Sequence, residues 1–241
     1  MADNFNRGIW GVSRGAAVDH AFVDEALRGY MLRVYNMMAS GLLLSGIVAV
    51  LVAMSPSALI AINTSALGFV VRLAPLGILL WMSFGINRMT AGTLQLLYWL
   101  FVASFGLSLS SIFLIYRIGS IGEVFFVTAG TFGAMSLYGY TTKRDLTAFG
   151  SFLFMGLIGI IIASLVNLFI MSSMVSFVVS VLGVLIFTGL TAYDTQRIKD
   201  QFYEGNAAEI TSKQAVMGAV QLYLDFLNLF LMLLRLFGDR R

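Results

Sequence analysis

Two carboxylates stand inside hydrophobic runs. Asp194 lies in Gly189-Leu190-Thr191-Ala192-Tyr193-Asp194-Thr195-Gln196 and Asp225 in Gln221-Leu222-Tyr223-Leu224-Asp225-Phe226-Leu227-Asn228. The other acidic residues sit in tails, loops or segment ends. An ionisable group at membrane depth costs on the order of 3 kcal/mol or more, so such groups face a bundle interior or water and mark a functional site. Two carboxylates held in contact do not both ionise cheaply, and such a pair shares a proton. Protonated, Asp194 and Asp225 hold their helices together by a hydrogen bond. Ionised, they repel and offer oxygen ligands for a transient contact with a hard cation such as calcium. A basic partner would resist that proton sharing, and the candidate is Arg88, within Asn87-Arg88-Met89 at the inner end of the second apolar run.

The elements that position these acids follow from composition. The chain is 59% hydrophobic and only 11% charged, with a mean hydropathy of +0.90, whereas soluble domains carry roughly 25% charge. This is a polytopic membrane protein. The single histidine, His20, lies in a polar N-terminal segment, so neither a multi-histidine zinc site nor Ser-His catalysis is available within the membrane. The absence of cysteine removes disulfides, haem thiolates and iron-sulfur clusters. A net charge of +3 is too small to point to nucleic acid. No cofactor and no catalytic step are expected.

Runs long enough to cross a bilayer fall at about 34–54, 68–87, 94–116, 121–140, 146–170, 174–199 and 213–237. This predicts an all-α integral membrane protein with a seven-helix domain over residues 34–237 and a short tail at 238–241. Residues 1–33 are read as a cytoplasmic N-terminal tail, mobile to about residue 18 and without a cleavable signal, then an interfacial helix capped by Asp19. Basic residues accumulate on the side of the N-terminus, ten against five, which predicts a cytoplasmic N-terminus and a periplasmic C-terminus. An even number of spans would return the C-terminus to the cytoplasm. Small-residue pairs such as Gly130 with Ala134, Ala129 with Gly133, and Gly159 with Ala163 have the spacing for close helix contact. Pro56 falls in the first outer loop, and Pro75 early in the second span.

The last run differs from the rest. At helical period it places Gln214, Gly218, Gln221, Asp225, Asn228, Met232 and Arg235 on one face, with leucines around the remainder. Such a polar stripe, with Gln214, Gln221 and Asn228 as its lining, cannot face lipid without leaving hydrogen-bonding groups unsatisfied. The helix therefore belongs at the centre, wrapped by the other six. The sixth helix should run to about Glu204, with Gly205-Asn206 as its stop and Thr211 or Ser212 capping the seventh. Counted from these ends, Asp194 and Asp225 differ in depth by about 5 Å at 1.5 Å per residue. Adjacent antiparallel helices thus bring them together in the inner half of the bundle.

Several stretches resemble the transmembrane Bax inhibitor motif family in its bacterial branch. They are Gly106-Leu107-Ser108-Leu109-Ser110-Ser111-Ile112-Phe113, the run Val124 to Ala134 leading to Tyr138-Gly139-Tyr140-Thr141-Thr142-Lys143-Arg144-Asp145-Leu146, and Thr191 to Gln196. The resemblance extends from about the second span to the end. It implies six helices wrapping a seventh and a pH-sensitive calcium leak in the bacterial inner membrane. An aspartate pair, matched here by Asp194 and Asp225, acts as proton sensor. An arginine of the second helix, matched by Arg88 in helix and membrane side, acts as latch. Eukaryotic relatives suppress cell death and lower calcium stores, and some bacterial ones are linked to a membrane-bound ATP-dependent protease, which stands as a partner. A non-conducting regulator of such a protease, or of a stress response, is the alternative to a channel. Tyr193-Asp194 also looks like half of an intramembrane aspartyl protease site. The second half of that site is a Gly-x-Gly-Asp motif, and Leu222-Tyr223-Leu224-Asp225 stands in its place, with no proline after position 75. A retinal Schiff base is excluded because the last run lacks an internal lysine.

Overall fold

A computed structural model describes residues 7–241, with side chains described from Asp24 onwards except at positions 63, 66 and 67. Among these residues the helices are α1 (Arg7–Ala53), α2 (Pro56–Thr64), α3 (Ala66–Gly85), α4 (Ala91–Leu109), α5 (Ile112–Ile115), α6 (Ile118–Thr141), α7 (Thr147–Ile170), α8 (Ser173–Asp200) and α9 (Ala208–Phe237). Seven stretches are long and apolar enough to span a membrane, α4 and α5 together supplying the third. Helix is what apolar sequence must form in lipid, because every backbone N–H and C=O has to be satisfied within the chain.

The connections carry the chemistry that stops and restarts these helices. Pro56 opens α2 in its first turn, where its missing N–H costs nothing. Thr90 caps α4 by accepting from the Thr93 N–H at 3.2 Å. Met171, at φ 55°, takes the left-handed conformation that ends α7. The Asn167 side chain steadies that turn by accepting from the Ser172 N–H at 3.0 Å. Asp145 accepts from the Thr147 N–H at 2.8 Å at the start of α7, and its hydrogen bonds to Thr147 hold its carboxyl below the usual carboxylate range. Inside α3, Pro75 cannot donate to the Val71 carbonyl one turn back. Ser108 of α4 supplies the missing donor at 3.0 Å.

Burial identifies the centre. In the most apolar stretch of α9, 67% of residues are buried, against 44% for α8 and 11% for α7. α9 packs chiefly on α8, α1, α6 and α4, while α3 lies against α4 and α7 against α8, so the wrapping has two tiers. The α9 core face, with Leu222, Tyr223, Leu229 and Leu234 all under 2% exposed, is locked to α1 and α4 through Ser45. The Ser45 hydroxyl lies 2.6 Å from the Tyr223 hydroxyl and 2.6 Å from the Val102 carbonyl.

Two expectations change. α1 is continuous from Arg7, so Asp19 lies within the helix and does not start it. Residues 1–6 of the mobile-tail expectation, and the side chain of His20, lie outside the described residues. The glycines of the small-residue pairs are not points of close approach either, since a Cβ on Gly130, Gly133 or Gly159 would meet nothing within 4 Å, although Ala129 and Ala163 do pack against the core. Close approach occurs instead at Gly106, where a Cβ would lie 2.7 Å from the Ser45 carbonyl oxygen, and at Gly139, which abuts the Ala192 backbone.

Candidate functional site: the carboxyl pair between α8 and α9

The polar face of α9 is used as a seam against α8. Gln214 donates to the Gln201 carbonyl at 3.3 Å. Gly218 faces Ile198, and Met232 packs on Gly183. Together with Gln221 against Asp194, these contacts define one antiparallel register. Asp225 lies about one turn, roughly 6 Å, deeper than the residue opposite Asp194. Asn228 turns back to donate to the Leu224 carbonyl at 2.9 Å. The stripe expected to line a pathway is therefore closed against its neighbour.

The two acids meet within this seam. Asp194 is 3% exposed and Asp225 5%, and their carboxyls lie in hydrogen-bonding reach of each other, with Gln221 also on Asp194. Asp194 Oδ1 and Asp225 Oδ2 receive no hydrogen bond from any other described residue. Buried acceptors facing one another without a donor need a proton between them. A proton shared between the two would turn a pair of repelling groups into a carboxyl-carboxylate hydrogen bond.

The pair meets although the helix ends differ from those expected. α8 stops at Asp200 and α9 begins at Ala208, so the opening turns of α9 project beyond the end of α8. The loop between them touches the same glutamine, with Asn206 donating to the Gln214 side-chain oxygen at 3.5 Å.

Arg88 does not join the acids. It is exposed in the turn after α3, and α3 packs on α4 and α2, with little contact to α9. The cation whose charge acts on Asp194 is Arg197, one turn further along α8.

Sequence reasoning missed the supports around the pair. Thr195, next to Asp194, lies 2.9 Å from the Ser136 hydroxyl, which is itself 2.7 Å from the Tyr35 hydroxyl, joining α8, α6 and α1 in one chain. Gln196 holds the α6–α7 loop at both ends of its amide, accepting from the Leu146 N–H and donating to the Arg144 carbonyl, each at 2.9 Å. Lys199 donates to the Tyr140 carbonyl at 3.0 Å. The only signal for these contacts was that Tyr140 to Leu146 and Thr191 to Gln196 both stood out as motifs. Nothing in either said that one grips the other.

Comparison with known proteins identifies the family. The sequence profile of Bax1-I, inhibitor of apoptosis-promoting Bax1, matches residues 27–241. The chain belongs to this family. An uncharacterized protein of Rickettsia prowazekii is 50% identical over 219 residues, which are 90% of this chain and 92% of the relative. The inner membrane protein YbhL of Escherichia coli is 47% identical over 218 residues, 89% of this chain and 93% of the relative. A protein of Caulobacter vibrioides is 43% identical over 251 aligned positions, 99% of each chain. The Bax1-I match takes in all seven spanning stretches, apart from the first residues of α1, and both acids of the pair.

Proposed function

We propose that the protein is a proton-gated cation leak of a bacterial inner membrane, with calcium as the permeant ion and the Asp194–Asp225 pair as its gate. The observation that carries this reading is two buried carboxyls within reach of each other across the α8–α9 seam, with one oxygen of each left without a donor from any described residue. With that proton in place the seam is held shut. Once it leaves, two like charges in a low-dielectric seam repel strongly, and parting the helices exposes oxygen ligands suited to calcium. Gln221, Gln214 and Asn228 then become the polar lining of the opened face. A latching role for Arg88 requires the α3–α4 turn to move inward from the exposed position it holds here. The name of the relative YbhL supports the inner membrane, and the excess of basic residues on the N-terminal side supports a cytoplasmic N-terminus and a periplasmic C-terminus. The reading contains no catalytic step and no cofactor.

Reconstitution in liposomes tests it. Calcium entry should rise as pH is raised from about 6 to about 8, where a shared carboxyl proton in a buried pair is lost. Asp194→Asn and Asp225→Asn should each abolish that dependence. An unchanged pH response in both variants rejects the gate. The tightly closed seam, with each acid no more than 5% exposed, favours one second reading, a non-conducting regulator of a membrane-bound ATP-dependent protease. Calcium entry equal to that of empty vesicles at every pH, together with co-purification of such a protease, selects it.

A further inference from the structure

We infer that a cavity between α7, α8 and α9, at the end of the bundle where the C-terminus lies, binds a phosphate ester, presented by the headgroup of an anionic phospholipid. The cavity has a volume of about 630 Å³, within the roughly 300–1,000 Å³ typical of ligand sites and larger than a bare phosphate needs. Two guanidinium groups, Arg235 of α9 and Arg240 of the tail, line it, and no carboxylate does. Among the described residues neither arginine has an acidic partner, because Asp239, the acid nearest in sequence, is paired with Arg117 at 3.1 Å.

Two of the donors, Arg240 and Ser176, are held in place before any ligand arrives. The tail forms an antiparallel bridge from Arg240 to Tyr116, with the Arg117 N–H donating to the Asp239 carbonyl and the Arg241 N–H to the Ile115 carbonyl, each at 3.0 Å. That fixes the Arg240 backbone and sets its guanidinium over the Tyr116 ring, 6.0 Å from the centroid. Across the cavity, Asn167 Oδ1 is occupied by the Ser172 N–H, so its amide nitrogen points to Ser176 and donates to that hydroxyl at 2.7 Å. The Ser176 hydroxyl, already accepting, has its own proton to give. Two forked cations and a hydroxyl donor are the recognition set for phosphate oxygens. Leu168 and Phe177, 67% and 57% exposed, continue the lining outward as apolar surface where acyl chains would run.

The test uses the full-length chain in neutral detergent, with native mass spectrometry for bound lipid and thermal unfolding for affinity. The probes are dioleoyl phosphatidylglycerol, dioleoyl phosphatidylcholine and inorganic phosphate. Phosphatidylglycerol should be retained and raise Tm, phosphatidylcholine should bind more weakly, and the double variant Arg235→Gln with Arg240→Gln should weaken phosphatidylglycerol binding by about tenfold or more. Arg240→Gln alone, a tail substitution that leaves the bundle core untouched, should show part of that loss. Arg144→Gln at the opposite end of the bundle should show none. Stabilisation by inorganic phosphate in place of the lipid, lost in the double variant, assigns the site to a soluble phosphate ester and overturns the lipid source while keeping the anion chemistry. Equal binding of phosphatidylglycerol by wild type and double variant, or no binding of either anionic probe, overturns the proposal.

Discussion

Asp194 and Asp225 are most informative when the charge and the hydrogen bond are separated. Asparagine keeps the shape and supplies an N–H toward the remaining carboxyl, so it would replace the proposed shared proton with a permanent donor. Alanine removes both. Asp225→Asn should therefore unfold within a few degrees of wild type at neutral pH, whereas Asp225→Ala leaves Asp194 buried against a hole and should cost about 1–3 kcal/mol. Thermal denaturation in detergent measures the difference. Equal destabilisation by both substitutions would mean that the carboxyls do not depend on each other. The same logic explains why Gln221 matters, since it is the one neutral amide on α9 that reaches Asp194.

Between helices the decisive feature is how closely backbones approach. Gly139 of α6 sits against the Ala192 backbone of α8, two residues before Asp194, while Gly130 on the same helix has open space around its Cα. Gly139→Val should push α6 from α8, disturb the Ser136–Thr195 contact at 2.9 Å and cost about 1–3 kcal/mol. Gly130→Val, of identical chemistry and the same helix, should lie within about 0.5 kcal/mol of wild type. Paired unfolding midpoints check this, and equal effects would dismiss the α6–α8 approach. Pro75 and Ser108 illustrate the same dependence in reverse, because a backbone group stranded in one helix is satisfied by a side chain of the next.

For the protein as a whole, the two ends of the bundle are chemically unlike. One end holds the α8–α9 loop, the Gln196 clamp and, one layer down, the acid pair. The other holds a pinned tail and an arginine-lined cavity, a field that attracts anions and resists cations. The proposed calcium path would therefore have to avoid the arginine cavity or wait until an anion neutralises it. Orientation is testable because the chain lacks cysteine, so a single introduced thiol is the only label site. Gly119→Cys, at an exposed position where a Cβ meets nothing within 4 Å, should react with an impermeant maleimide in intact spheroplasts. Lys143→Cys, also exposed, should react only after lysis. The reverse pattern would invert the proposed topology.

Much of this was legible along the chain. Apolar run lengths located the seven spans, because lipid leaves helix as the only way for such segments to satisfy their backbones. A polar stripe placed α9 at the centre, and two acids inside apolar runs pointed to the candidate site, for the same reason of solvation. Those are properties of a segment and its solvent, and need no knowledge of neighbours. What faces the stripe was not of that kind. That it closes on α8, that Arg197 stands near Asp194 while Arg88 stands apart, and that Gly139 makes the tight contact while Gly130 makes none, all depend on the rotation and register of one helix against another. In lipid these are set by van der Waals fit and interhelical hydrogen bonds summed over many residues, and only the packed bundle determines that sum.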